Sequence, residues 1–164
     1  MLTAEQPEIR RATPDDAALI AKVLHESFAV FKPLYTLAGF LATTPNERQV
    51  LARMREGPVW VASLKGEVIG TVAIVLKEKS AYIRGMAVAP SARGTGTGSA
   101  LLRNIESWAI DAGCLRLFLS TTPFLSAAIR LYERFGFQRT EEGPHDLFGT
   151  PLLTMEKHLA VHLR

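Results

Sequence analysis

Cysteine is almost absent from this chain of 164 residues. Cys114 is the only one, so no disulfide can close within the chain and nothing in the cysteine content points to a metal centre. It opens the apolar run CLRLFL and reads as a core residue. Long apolar runs are absent too. Although 48% of residues are hydrophobic, none of the runs approaches the roughly 20 residues that a membrane span requires, so no membrane partner is expected. The start, MLTAEQPEIRR, lacks the charged end and apolar core of a secretory signal, which makes cytoplasmic residence the expectation. A strong charge imbalance is also missing: 19 basic and 16 acidic residues give a net +3, and the basic ones are dispersed. Nucleic acid is therefore not expected as a partner, whereas a phosphorylated ligand would need only one focused positive site. No repeat, low-complexity stretch or linker interrupts the chain, so residues 1–164 read as one domain, large enough to bury roughly 68–70% of its unfolded surface.

What is present is an alternation of elements. Residues 8–13 form a short strand. Thr13 then has the character of a helix cap, with Pro14 in the first helical position and Asp16 three residues after the cap. Ile20, Val23, Leu24, Phe28 and Phe31 recur at the spacing of one buried helix face, ended by Pro33. Residues 34–44 are apolar but aperiodic and read as a loop or short helical turn; residues 46–56 suggest a polar helix. Two strand-like runs, 59–64 and 68–76, are joined by Lys65, Gly66 and Glu67 as a hairpin. Residues 81–89 form a further strand, in which Gly85 marks a bulge or a close approach by a ligand. An amphipathic helix carrying Leu101, Leu102, Ile105, Trp108 and Ala109 closes at Gly113. A strand at 115–120 follows. Thr122 and Pro123 then read as the cap and first turn of a helix carrying Leu125, Ala128, Ile129, Tyr132 and Phe135, which stops at Gly136 with Phe137 placed for a Schellman contact. Strands at 137–142 and 152–157 complete a mixed sheet with helices on its faces, an α/β (α+β) arrangement.

The chemistry is concentrated in Arg93, Gly94, Thr95, Gly96, Thr97, Gly98 and Ser99, between a strand and the start of a long helix. A helix start leaves N–H groups without partners and carries partial positive charge, and glycines let backbone wrap an anion without side-chain clashes. Arg93 adds a full charge. A pyrophosphate fits such a loop, as would inorganic phosphate or a nucleotide. The P-loop pattern fails, because Gly98 is followed by Ser99 and Ala100 rather than by Lys and a hydroxyl residue. A dinucleotide fold is disfavoured, because Pro90, Ser91 and Ala92 separate the strand from the glycines and Ser99 stands where a third glycine or alanine belongs.

MAVAPSARGTGTGSALL resembles the central motif of GNAT acetyltransferases, in which Gln or Arg, two residues, Gly, one residue, then Gly or Ala recur; Arg93, Gly96 and Gly98 hold those places. AAIRLYERFGF resembles the second motif of that family, with its tyrosine at Tyr132 and its Gly-Phe ending at Gly136 and Phe137. The order of elements matches across almost the whole chain, the first 57 residues in pattern only. The resemblance implies a GNAT acyl-CoA N-acyltransferase fold, with a mixed sheet of about six or seven strands and about four helices. It also implies acetyl-CoA or another acyl-CoA as co-substrate, without a metal. The cofactor would lie between the strands at 81–89 and 115–120, its pantetheine arm along Met86, Ala87 and Val88, its pyrophosphate on the amides of residues 93–99, with the Val88 amide near the acyl carbonyl as an oxyanion donor. Tyr132 would be the general acid for the departing thiolate, since a phenol stays protonated at neutral pH. By spacing alone Tyr132 shares the apolar face of Leu125, Ala128 and Ile129; the two roles are compatible.

Two positions depart from the family pattern. Tyr82 stands where many relatives carry an acidic residue serving as base, which leaves the base open among His25, Glu26, His145 and Asp146, or an amine that arrives neutral. Leu125 stands where relatives commonly carry an asparagine that helps hold the cofactor; Ser126, Thr121 or Thr122 could substitute. The acceptor pocket is expected between the aromatics Phe28, Phe31, Tyr35 and Phe40 and the loop at 145–151, and these aromatics favour an apolar or aromatic amine over a polycation. The reading is an N-acetyltransferase acting on an amine of a small molecule or peptide by direct attack, with homodimerisation left open. The alternative is a non-catalytic CoA-binding sensor or interaction module.

Overall fold

The structure is a computed structural model that describes residues 5–160. Residues 1–4 and 161–164, which belong to the single-domain reading and in part to the stretch checked for a signal, lie outside the described residues.

Strand β1 (Glu8–Arg11) leads into a 3-10 turn (Pro14–Asp16) and helix α1 (Ala17–Ala29). The Asp16 carboxylate accepts from the Thr13 N–H at 2.8 Å and from Nη1 and Nη2 of Arg10 at 2.8 Å each, which pins the chain at the helix entrance. α1 ends at Ala29, short of Pro33; Phe31 lies beyond it, before a second 3-10 turn (Lys32–Leu34). The aperiodic stretch that follows forms a true helix, α2 (Leu37–Thr43), because the Thr36 hydroxyl accepts from Gly39 N–H and caps it. Helix α3 (Glu47–Met54) follows, capped by Asn46 and Gln49 in reciprocal bonds of 2.9 Å.

β2 (Val59–Leu64) and β3 (Glu67–Lys77) form the expected hairpin, turning at Lys65 and Gly66, both with positive φ. β4 (Ser80–Val88) precedes a 3-10 turn (Pro90–Ala92) and helix α4 (Thr97–Asp111). β5 (Arg116–Thr121), α5 (Ser126–Arg134) and β6 (Gln138–Thr140) come next. A small hairpin, β7 (Asp146–Leu147) and β8 (Thr150–Pro151), sits within the loop expected before the last strand, β9 (Leu153–His158). The main sheet runs β1-β2-β3-β4-β5-β9-β6, antiparallel throughout except where β4 lies parallel to β5. Among the described residues, a mixed seven-stranded sheet with five α-helices is the expected class, with one helix more than the roughly four anticipated.

One core layer packs Leu101, Leu102 and Ile105 of α4 and Ile129 of α5 against Ile74, Ile83 and Leu117; the other packs Ile20, Val23 and Leu24 of α1 with Val50 of α3 against Val61 and Ala87. β4 contributes to both layers through the bulge that Gly85 marks. Ala73 pairs with Arg84 and Thr71 with Ala87, so Gly85 and Met86 together oppose Val72. The extra residue reverses the alternation. Before it, Ala81 and Ile83 face α4; after it, Met86 and Val88 take that side and Ala87 faces α1.

Candidate active site

The bulge lies where β4 parts from β5. Their pairing runs from Ser80 with Arg116 to Ile83 with Leu119, and β4 then continues to Val88 without it. Ala89 donates to the Ile69 carbonyl at 2.7 Å. By the alternation of an antiparallel ladder, the Val88 N–H and C=O therefore turn to the opposite edge, into the opening toward β5. The Val88 carbonyl there accepts from the Ser27 hydroxyl at 3.0 Å.

Beyond β4 the chain rises through the 3-10 turn into the glycine loop. Gly94 and Gly96 have φ of 79° and 83°, a left-handed conformation that disfavours other residues, and Gly96 occupies the cap of α4. Among the described residues, no acceptor receives the amides of residues 94–99. Thr95 directs its hydroxyl inward, to the Ala92 carbonyl and to the Thr97 hydroxyl at 2.8 Å, which stiffens the loop from within. Arg93 Nη2 donates to the Ser27 carbonyl at 3.0 Å. A Cβ at Gly98 would lie 2.9 Å from Leu131 Cδ2, so glycine there lets the first turn of α4 approach α5.

These elements enclose a groove of about 330 Å³. Met86, Ala87, Val88, Arg93, Gly94, Gly96, Thr97, Gly98, Ser99 and Tyr132 all line it. Thr95 and Ser126 do not: Thr95 serves the loop internally, and Ser126 is exposed on the first turn of α5 while Ala127 beside it faces the groove. The expected helix cap is corrected. α5 begins at Ser126 with Leu125 in the cap position, so Thr122 is not its N-cap. Residues 122–125 instead form a tight turn, closed by Leu125 N–H on the Thr122 carbonyl at 3.1 Å.

A second cavity of about 350 Å³ opens on the other side of Tyr132. Phe28, Met86, Leu125, Ala128 and Tyr132 belong to both walls. Tyr132 is held here by the end of its own helix. Gly136 N–H bonds the Glu133 carbonyl and Phe137 N–H bonds the Tyr132 carbonyl, each at 3.0 Å, and the Phe137 ring packs 5.8 Å from that of Tyr132. Its burial in the wall pushes the phenol up to about 12, so it remains protonated at any physiological pH.

The second cavity is lined further by Tyr35, Thr43, Arg53, Tyr82, Arg84, Ser120, Thr121, Thr122, Leu147 and Leu152. Of the aromatics expected there, Phe28 and Tyr35 are in place, Phe31 lines the first groove, and Phe40 is core. None of the four base candidates lines either cavity. His25 and Glu26 are exposed on α1, Glu26 3.9 Å from Lys22, and His145 and Asp146 are exposed, with Asp146 accepting from Gly149 N–H in the small hairpin. Sequence reasoning missed Arg53 and Arg84. The lone arginine within AYIRGMAVA was the available signal, since a charge in an otherwise apolar strand demands a reason. Cys114 lies in the core away from both cavities, its thiol pushed up by burial. Among the described residues no cluster of His, Cys, Asp or Glu could hold a metal ion, and no helix is long and apolar enough to cross a membrane.

A profile of the Acetyltransferase (GNAT) family matches residues 21–137, and the chain belongs to that family. It is an acyl-CoA-dependent N-acyltransferase. It is 30% identical over 147 residues to the uncharacterized N-acetyltransferase YjgM of Escherichia coli (strain K12), spanning 85% of this chain and 87% of that one. It is equally 30% identical over 151 residues to the aminoglycoside N(6')-acetyltransferase type 1 of Stenotrophomonas maltophilia, spanning 85% and 92% of the two chains. In fold it is similar to the PaiA N-acetyltransferase of Thermoplasma acidophilum, solved in complex with coenzyme A, with a TM-score of 0.80, 17% identity, and 94% of this chain and 100% of that chain covered.

Proposed function

We propose that the protein transfers an acetyl group from acetyl-CoA to an amine of a small molecule or peptide, by direct attack of the amine and without an acyl-enzyme. The observation that carries this reading is the position of Tyr132 in the wall between a groove headed by free amides and a second cavity of small-molecule size. A groove of this kind suits coenzyme A: the amides of residues 94–99 and the first turn of α4 offer donors to a diphosphate, with Arg93 beside them. Met86, Ala87 and Val88 border the pantetheine path at the opening between β4 and β5.

Acetyl-CoA supplies an acyl group activated as a thioester. The Val88 N–H, turned toward the opening, donates to the acyl oxygen as charge develops on it. Tyr132 donates its phenolic proton to the sulfur as the new N–C bond forms and the C–S bond breaks; the proton lost by the amine passes to solvent, and Tyr132 regains one from solvent. A phenol held near 12 is a weak acid, but the dry setting that raises it also raises a thiol leaving into the same wall, so the transfer is less uphill than solution values imply. The second cavity, with no carboxylate lining it, suits an amine that enters neutral or loses its proton to water.

The test is thiol release from acetyl-CoA across a panel of amines and peptides, with the acetylated product identified by mass. Product formation supports the reading; acetyl-CoA binding with no transfer to any acceptor would contradict it.

A further inference from the structure

The second cavity carries charge of one sign. Arg53 reaches it from α3 and Arg84 from β4, and no lining residue is acidic. Arg84 is largely covered, its side chain 20% exposed; Nη2 lies 2.8 Å from Glu56 Oε2 as an ion pair, and neither Nη2 nor Nε, both buried, makes a hydrogen bond among the described residues. Glu56 is not among the lining residues, its side chain is 53% exposed, and its one negative charge serves both guanidinium groups, paired with Arg84 and attracting Arg53 as well. Arg53 donates once, from Nη2 to the Ala42 carbonyl at 2.9 Å, leaving donors on its other nitrogens. Burial and the facing charge of Arg84 both push its guanidinium below its ordinary value. Two half-buried cations facing one cavity with a single, outer counter-ion is an arrangement that a second anion would relieve. The planar fork of arginine matches a carboxylate in geometry as well as charge.

The rest of the cavity favours a small zwitterion over a long polyamine. Its volume is about 350 Å³, Tyr35 and Tyr82 add bulk, and a polycation would meet like charge from both arginines. Met86, two residues after Arg84 on β4, belongs to both walls, so the arginine end and the Tyr132 end lie along one strand.

We propose that the acceptor is an amine carrying a carboxylate, a free amino acid or an amino acid derivative with its acid group intact, whose carboxylate is bound by Arg53 and Arg84 while its amine faces Tyr132. This rests on the acyl-transfer reading above and names the acceptor class of that same site. The bonds made and broken are unchanged.

The test uses the full chain and three matched sets: α-, β- and γ-amino acids, their carboxamides, and the amines lacking the acid group. Turnover is read as thiol release, and acetyl-CoA affinity is measured separately by calorimetry. The proposal expects kcat/KM for at least one amino acid to exceed that of its amide and its decarboxylated partner by about 10- to 100-fold, the range of a charge-assisted bond. It expects Arg84→Gln and, as an independent variant, Arg53→Gln to erase that preference mainly through KM, while acetyl-CoA affinity stays within about twofold of the parent. Acetyl-CoA binding with no preference among the matched sets, or with preference for polyamines, would overturn this proposal alone. No binding of acetyl-CoA would overturn the acyl-transfer reading and this proposal with it.

Discussion

Arg93 donates from Nη2 to the main-chain carbonyl of Ser27 at 3.0 Å, tying the glycine loop to the end of α1. The hydroxyl of the same serine has its one proton shared between the carbonyls of Val23 at 2.6 Å and Val88 at 3.0 Å. One residue thus braces both the loop and the strand end that carries the Val88 amide. Arg93→Ala removes the loop's only full charge and its brace. The dissociation constant for acetyl-CoA should rise about tenfold, the scale of one charge-assisted bond, and the wild-type affinity should weaken with added salt more steeply than that of the variant. Calorimetry at two ionic strengths checks both.

Tyr132→Phe separates the two readings of that residue. Among the described residues its hydroxyl has no hydrogen-bond partner, so removing it should change stability by less than about 1 kcal/mol. If it serves the leaving sulfur, kcat should fall about 10²- to 10³-fold with acetyl-CoA affinity nearly unchanged. A purely structural role would leave kcat near wild type.

The raised phenol also sets an alkaline limit. An unfolded tyrosine loses its proton near pH 10 while Tyr132 keeps its own until about 12, so the unfolded state binds fewer protons in that window and stability falls as pH rises through it. Below pH 10 both states are protonated and the group contributes no slope. Denaturant midpoints between pH 9 and 12 should fall more steeply in the wild type than in Tyr132→Phe, where the raised phenol of Tyr35 still contributes.

At the acid end the most strongly depressed carboxylate is Asp16, 6% exposed, which the Arg10 guanidinium holds down at about 2 against burial; Glu156, bonded to Arg116, is lowered as well. A depressed carboxylate stabilises the fold above its ordinary value of 3.8 and loses that contribution as pH falls from there to about 2. Asp16→Asn should cost about 2 kcal/mol at pH 7 and flatten the unfolding profile below pH 4.

Gly98→Ala should test the approach of α4 to α5. Its Cβ would press on Leu131 Cδ2 at 2.9 Å, a side-chain tip that can yield, so the expected cost is about 1 kcal/mol in stability, with a several-fold weaker affinity for acetyl-CoA as the first turn of α4 shifts. Thermal unfolding and titration of the same sample check the two effects together.

Punctuated elements were legible in the sequence. Gly136 and Phe137 announced the Schellman ending that holds Tyr132, and Gly85 announced the bulge at which β4 changes faces. α2 was legible only as one of two alternatives, a loop or a short helical turn, because its seven residues are too few to show a period and Leu37 and Leu41 are exposed. Thr122 and Pro123 imitate a helix start, but their turn closes on Leu125 before α5 begins. The Arg53 and Arg84 pair was hidden for a different reason. The two residues come from separate elements, and only the tertiary fold brings them to one cavity.

The central claim is that main-chain donors at the start of α4 hold the diphosphate of coenzyme A. Calorimetric titration with acetyl-CoA and with S-acetylpantetheine, which shares the acyl arm but lacks the diphosphate and the 3′-phosphoadenosine attached to it, addresses it, with 3′-phosphoadenosine alone as the control for the nucleoside. The account predicts that acetyl-CoA binds at least 100-fold more tightly; equal affinities, or no binding of acetyl-CoA to folded protein, would contradict it.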